Sequence, residues 1–229
     1  MSRRTSTIES HDLPHPIVAR MWERMSRACD AKGAAQHRTE LVDGLHGRVI
    51  EVGAGNGANF AHYPTTVREV LALEPEPHLR ASAERAAVEA PVRVTVVGGT
   101  AEALPGDDAA FDAAVVSLVL CTVTDVERAL HELKRVLRAG GELRFYEHVL
   151  AHRPGFARMQ RAFDLVYPRI NGWGCQAARD TPAEIEAAGF EIQRIRRFPF
   201  RASILDFPLS PHVLGVARRP GLDEGWSDG

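Results

Sequence analysis

The chain has 229 residues, 45% hydrophobic and 25% charged, with a net charge of -2 and a pI of about 6.6. That size and apolar content suit one domain with a full core, and the near-neutral balance gives no electrostatic ground for a nucleic-acid partner. Cys29, Cys121 and Cys175 are far apart and form no CxxC pair, which argues against a disulfide framework or a structural zinc module and fits a reducing, cytoplasmic setting.

The start, MSRRTSTIESHDLPHP, has arginines but no apolar run behind them. It predicts no secretory signal, and residues 1–14 are read as flexible. No run in the chain reaches the length of a membrane span. Ile17, Met21, Trp22 and Met25 fall at helical spacing, and a second helix is expected over about 37–45, ending at Gly47. Residues 15–46 therefore read as a helical cap.

From Arg48 the texture alternates. RVIEV is a short buried strand, followed by the glycine cluster GAGNGA and a helix. EVLALEP is a second strand. PHLRASAERAAVEA is a helix closed by Pro91. VRVTVVG and FDAAVVSLVL are the third and fourth strands. TDVERALHELKRVLRAGG is an amphipathic helix, with Thr124 as expected N-cap, Glu127 three residues on, and Gly140-Gly141 as its stop. ELRFYEHV is a fifth strand.

Residues 150–180 are aromatic, arginine-rich and broken by Pro and Gly, and read as an irregular insert. Arg179-Asp180 is expected as a surface ion pair before a short helix with Thr181 as N-cap, Pro182 in its first turn and Gly189 at its end. FEIQRIRRFPF and HVLGVARR are strand-like and are expected to pair antiparallel, with Arg194, Arg196 and Arg197 on a solvated face. Residues 219–229 are expected to form a flexible tail. The alternation predicts an α/β fold, a mostly parallel, Rossmann-like sheet with helices on both faces, in one domain over residues 15–218.

In such a sheet, ligands sit at the carboxyl ends of the strands, so the first strand's loop is the place to look. Gly53, Gly55 and Gly57 let the backbone turn tightly and approach a ligand. GAGNGA matches the dinucleotide pattern G-x-G-x-x-G/A, and Glu74 stands where a ribose-binding acid belongs. Against an NAD-dependent oxidoreductase, Glu51 lies inside the first strand where an apolar residue is favoured, and no Tyr-x-x-x-Lys pair follows.

VIEVGAGNGANF resembles motif I of the class I S-adenosylmethionine-dependent methyltransferases, and LALEP resembles their ribose-binding motif. GGTAEALPGDDAAFDAAVVSLVL is similar to their adenine turn and fourth strand, and RVLRAGGELRFYEH to their late helix-Gly-Gly-strand signature. The resemblance implies a seven-stranded sheet with one antiparallel strand and S-adenosylmethionine as cofactor. It implies that Gly53, Ala54, Gly55 and Gly57 approach the methionine and ribose, with Asn59 and Phe60 in the same segment. Glu51 faces the amino group through water, and Glu74 takes both ribose hydroxyls. Pro75 and Leu104 sandwich the adenine, while Thr100, Ala101 and Glu102 form its turn. Thr100 replaces the usual aspartate. Ser117, Leu118 and Val119 end the fourth strand near the reactive methyl.

GANFAHYP, SLVLCTVTD, FYEHV and GWGCQAARDT resemble, more narrowly, the methyltransferase-like thiol S-methyltransferases, over about residues 15–218. The hydrophobic N-terminal anchor of those relatives is missing, so a soluble enzyme is expected. Methyl transfer to a small thiol needs alignment more than a strong base. His148 and Glu147 end the fifth strand and are expected to orient the acceptor. Trp22, Cys121, Tyr167, Trp173 and Cys175 are the expected acceptor contacts, with Phe156 and Phe163 adding to an apolar lid. His148 and His152 are four apart but lack a third ligand, so no metal is expected. Cys121 reads as an ordinary buried thiol. Other acceptors, namely a lipid, quinone or secondary metabolite methylated on N, O or C, stay open, as does a cofactor-binding domain without turnover.

Overall fold

The computed structural model describes residues 16–166, 174–202 and 204–221. Helix α1 (Pro16–Cys29) runs through a π-helical turn (Asp30–Ala34), bent at Gly33 with φ 114°, into α2 (Ala35–Val42). Strands β1 (Gly47–Val52) and β2 (Val67–Leu73) follow, then α3 (Pro77–Val88) and β3 (Arg93–Val97). The chain continues through β4 (Phe111–Ser117), α4 (Val126–Val136), β5 (Leu137–His148), α5 (Pro154–Asp164) and α6 (Thr181–Ala187). It closes with β6 (Glu191–Pro199) and β7 (Pro211–Arg218). No described helix is long and apolar enough to cross a membrane.

The seven strands form one sheet in the order β3-β2-β1-β4-β5-β7-β6. The first five are parallel, and β7 runs antiparallel to both β5 and β6. β1 neighbours β2 on one side and β4 on the other, so the chain reverses its winding there. At that switch point the loops leaving β1 and β4 diverge and open a crevice at the carboxyl edge. The inner strands are apolar almost throughout because helices cover both faces. On one face α4 buries Ala129, Leu130, Leu133 and Val136, a stripe at helical spacing. Full burial of Leu130 and Leu133 is worth about 1.5–3 kcal/mol each.

Several expectations shift. No α-helix follows the glycine loop. A 3-10 turn over Phe60–His62 stands in its place, because Pro64 forces Tyr63 into extended backbone (φ -62°, ψ 130°). The cap of α4 is Asp125, whose carboxylate accepts the Arg128 N–H at 2.9 Å, rather than Thr124. That helix ends at Val136, and Leu137 already pairs with Phe111. The 150–180 insert contains α5, with Pro154 in its first turn, where a proline costs no hydrogen bond. Before α6 it is Asp180, not Thr181, that occupies the N-cap position, with no side-chain hydrogen bond.

Candidate functional site

A cavity of about 570 Å³ opens at the switch point, between the β1, β2 and β4 loops, the helical cap and the segment after α5. That volume lies within the usual range for a cofactor site. Its floor is the glycine loop. Gly53 and Gly55 have φ of 69° and 59°. A Cβ on Gly53 would stand 2.4 Å from Val119 Cγ2, and one on Gly55 would stand 2.8 Å from Trp22 Cη2. Only hydrogen fits at either place, and the Trp22 indole from α1 lies directly against the loop.

Glu74, just past β2, is 5% exposed. Its two oxygens accept the N–H groups of Gly55 (2.7 Å) and Glu76 (3.0 Å), which ties the β1 and β2 loops together. Burial raises its pKa to about 7 although both hydrogen bonds oppose the shift. Each oxygen keeps a lone pair for a ligand hydroxyl. Pro75, Ala101 and Thr100 line the same end of the cavity, with Glu102 beside them.

At the other end Arg38, from α2, lines the wall. It is 6% exposed and donates to Asp30 (2.8 Å), Asn59 (3.0 Å) and Ser26 (3.3 Å). Nothing in the sequence marked this residue, since it sits in an unremarkable helical stretch. Glu51 lies underneath and does not line the cavity. Its oxygens accept Asn59 Nδ2 at 2.9 Å and the Tyr63 hydroxyl at 2.7 Å. The expected contact of Glu51 with a ligand is thus replaced by a relay, Glu51 to Asn59 to Arg38.

Burial raises the pKa of Glu51 to about 7. A group raised above its unfolded value near 4.5 stabilises the fold below that value and loses the contribution as pH passes 7. Glu51→Gln keeps one acceptor for Asn59 and presents an amide to the Tyr63 oxygen. It is therefore expected to melt higher than the parent at pH 8, by up to about 3 kcal/mol, and equally at pH 4.5. Paired thermal melts at the two pH values check this.

The Ser117 hydroxyl is buried, lines the cavity and has no hydrogen-bond partner among the described residues. An orphaned donor, a carboxylate with spare lone pairs, a guanidinium and an apolar bay are the groups an adenosyl amino acid needs. The residues present fit S-adenosylmethionine.

The acceptor end is built from the exits of β4 and β5. Leu118 has φ 60°, so the chain turns sharply there. Glu147, fully buried, accepts the backbone N–H groups of Val119 (3.0 Å), Leu120 (3.1 Å) and Cys121 (3.1 Å). It holds the loop and does not line the cavity. Burial raises its pKa to about 7. Arg179 is 9% exposed and donates to the carbonyls of Leu120 and Val123, a buried clamp instead of the expected surface ion pair. His148 lines the cavity, and burial with the neighbouring His212 holds its pKa well below the usual imidazole value.

Of the other expected residues, Cys121 and Cys175 line the cavity. Their sulfurs are 3.8 Å apart, and both lie against His148 Nδ1, at 3.7 and 3.4 Å. The sequence showed only the four-residue spacing of His148 and His152, with no metal expected, and His152 borders a different depression. Ala54, Gly57, Asn59, Phe60 and Leu104 support the site from outside its lining. Phe156 stacks on Phe207 away from the cavity, and Phe163 does not line it either. Phe200 takes part in their place. Tyr167 and Trp173 lie outside the described residues.

Known proteins agree with this geometry. Residues 50–145 match a family model described as a methyltransferase domain. The human thiol S-methyltransferase TMT1B is 37% identical over 185 residues, 77% of this chain and 73% of that protein. A demethylmenaquinone methyltransferase of Thermobifida fusca is 30% identical over 207 residues, 87% of this chain and 79% of that one. A SAM-dependent methyltransferase of Thermotoga maritima, described as a possible histamine N-methyltransferase, superposes with a TM-score of 0.64 at 22% identity, covering 89% of this chain and 98% of that one. The cofactor is therefore S-adenosylmethionine and not a dinucleotide. The chain belongs to the class I S-adenosylmethionine-dependent methyltransferases, in the family that includes the thiol S-methyltransferase TMT1B.

Proposed function

We propose that the enzyme methylates the sulfur of a small thiol. Bound S-adenosylmethionine supplies an electrophilic methyl group on a sulfonium. In this reading Glu74 accepts the ribose hydroxyls, Pro75 and Ala101 flank the adenine, and Thr100 and Glu102 border its edge. Arg38 meets the carboxylate of the methionine part, with Ser117 donating nearby. Gly53 and Gly55 let the cofactor lie against bare backbone, under Trp22.

The observation that carries the thiol is the chemistry of the acceptor end. Glu147 spends its carboxylate on three backbone amides, and His148 is held neutral by burial. Among the described residues, no carboxylate at that end is free to deprotonate an alcohol or a phenol. A thiol ionises near pH 8.5 unaided and attacks readily, so it asks least of such a site. The similarity to TMT1B supports the same acceptor.

The test is turnover of purified enzyme with S-adenosylmethionine and equal concentrations of an alkyl thiol, a phenol, a quinol and a primary amine. Mass spectrometry reads the methylated products. A methyl thioether as the dominant product is expected. A methylated quinol or amine in its place overturns the thiol reading and leaves the methyltransferase assignment intact.

A further inference from the structure

Two thiols and an imidazole converge on one point of the cavity wall. The separations are 3.8 Å between Cys121 Sγ and Cys175 Sγ, 3.7 Å from Cys121 Sγ to His148 Nδ1, and 3.4 Å from Cys175 Sγ to the same nitrogen. A tetrahedral Zn²⁺ with bonds of about 2.3 Å to sulfur and 2.0–2.1 Å to nitrogen spaces its ligand atoms by about 3.8 Å (S to S) and 3.6 Å (S to N). The three sides of the triangle match that shape.

The ligands are also held in place. Cys121 N–H is bonded to Glu147, and its carbonyl accepts the Gln176 N–H at 2.8 Å, which links the two cysteine-bearing segments. Asp164, at the end of α5, accepts the N–H groups of Ala177 and Ala178 at 2.7 Å each. Gln160, on the same helix and fully buried, bonds the carbonyls of Val149 and Ala177. The strand exit bearing His148 and the segment bearing Cys175 are thus pinned to one helix. Such support around the ligands is what a metal site requires.

We propose that Cys121, His148 and Cys175 bind a thiophilic divalent cation, Zn²⁺, whose fourth position faces the cavity and takes the sulfur of the acceptor. Three protein ligands with one open position is the arrangement of a catalytic rather than a structural zinc. Two soft sulfurs and one imidazole select zinc over harder ions. The role of the fourth position rests on the thiol reading; the metal site does not. On binding, the acceptor R–SH releases its proton to solvent, and the two cysteines release theirs when the metal is loaded. The acceptor thiolate then attacks the sulfonium methyl. One S–C bond forms, and the methyl–sulfonium bond breaks with its electron pair passing to the departing sulfur. The products are R–S–CH₃ and S-adenosylhomocysteine.

The test reads the metal directly. Protein purified under reducing conditions is loaded with Co²⁺, and its zinc content is measured on a separate sample. The expected result is one metal per chain and the sulfur-to-cobalt charge-transfer and intense visible bands of a four-coordinate ion. Adding a small alkyl thiol shifts those bands. Cys121→Ser and Cys175→Ser lower metal content at least tenfold, while a cooperative melt shows that each variant remains folded. A wild-type protein that takes up no metal under these conditions, or that holds Cys121 and Cys175 as a disulfide resistant to reductant, overturns the site even if thiols are methylated. Metal bound as expected, with bands that no thiol shifts, overturns the role of the fourth position. Thiol turnover, measured separately, decides the acceptor reading.

Discussion

Glu74→Ala is expected to raise the dissociation constant for S-adenosylhomocysteine at least about 100-fold, since hydrogen bonds to a charged group are worth about 1.5–3 kcal/mol each and two to the ribose are lost. The loop suffers as well. The Gly55 and Glu76 N–H groups lose a buried acceptor, so the turn between the β1 and β2 loops loosens. The pH dependence carries the same argument further. Glu74 has a folded pKa of about 7, raised by burial above 4.5, so below pH 7 the free enzyme holds a proton there. Ribose hydroxyls donate best to the carboxylate, so binding below pH 7 expels that proton. Affinity is expected to rise about tenfold per pH unit up to pH 7 and then to level off. Glu74→Gln, which carries no titrating group, is expected to bind weakly with a flat profile. Isothermal titration from pH 5.5 to 8.5 in buffers of differing ionisation enthalpy measures both the affinity and the proton released. A steep profile retained in the Gln variant would move the titration elsewhere. Glu51 is the residue to examine next, since its relay reaches Arg38.

The glycine-loop end of the candidate site was legible because its parts are short and contiguous. The glycine cluster, Glu74 directly after β2, and the Gly-Gly pair early in β5 each keep their spacing whatever the side chains do. The mostly parallel sheet followed from the alternation of elements. Legibility failed where the deciding contact is remote in the chain. Cys121 and Cys175 each stand 27 residues from His148, on separate segments, so no local pattern announces their convergence. Arg38 reaches the cavity because α2 packs behind the β1 loop, which helical periodicity cannot show. The motif resemblance implied that Glu51 faces the cofactor's amino group through water. The partners turned out to be Asn59 and Tyr63, in the stretch where a helix was expected. Pro64 explains that stretch, and it was visible in the sequence all along.

Glu147→Ala is expected to be the most destabilising single change at the site. Three backbone N–H groups lose a buried acceptor together, and each unsatisfied group costs about 1–3 kcal/mol. Against this stands the removal of a carboxyl whose pKa burial has raised from 4.5 to about 7, which is itself unfavourable when ionised. The sign is the same as for Glu51. The stabilising contribution of Glu147 is complete below pH 4.5 and declines as pH rises through 7, so the loss on mutation is greatest in acid. At pH 5 the expected loss is about 3–9 kcal/mol, a large part of a typical domain's stability. At pH 8 it is smaller, by up to about 3 kcal/mol. Denaturant titrations at both values measure the difference. Val119 and Cys121 move with the loop that Glu147 holds, so the variant that survives purification is also expected to lose turnover while retaining the Glu74 end of the site. Equal destabilisation at the two pH values would mean that Glu147 stays in one protonation state throughout. The three amides would then hold a permanent carboxylate, against the burial that raises its pKa.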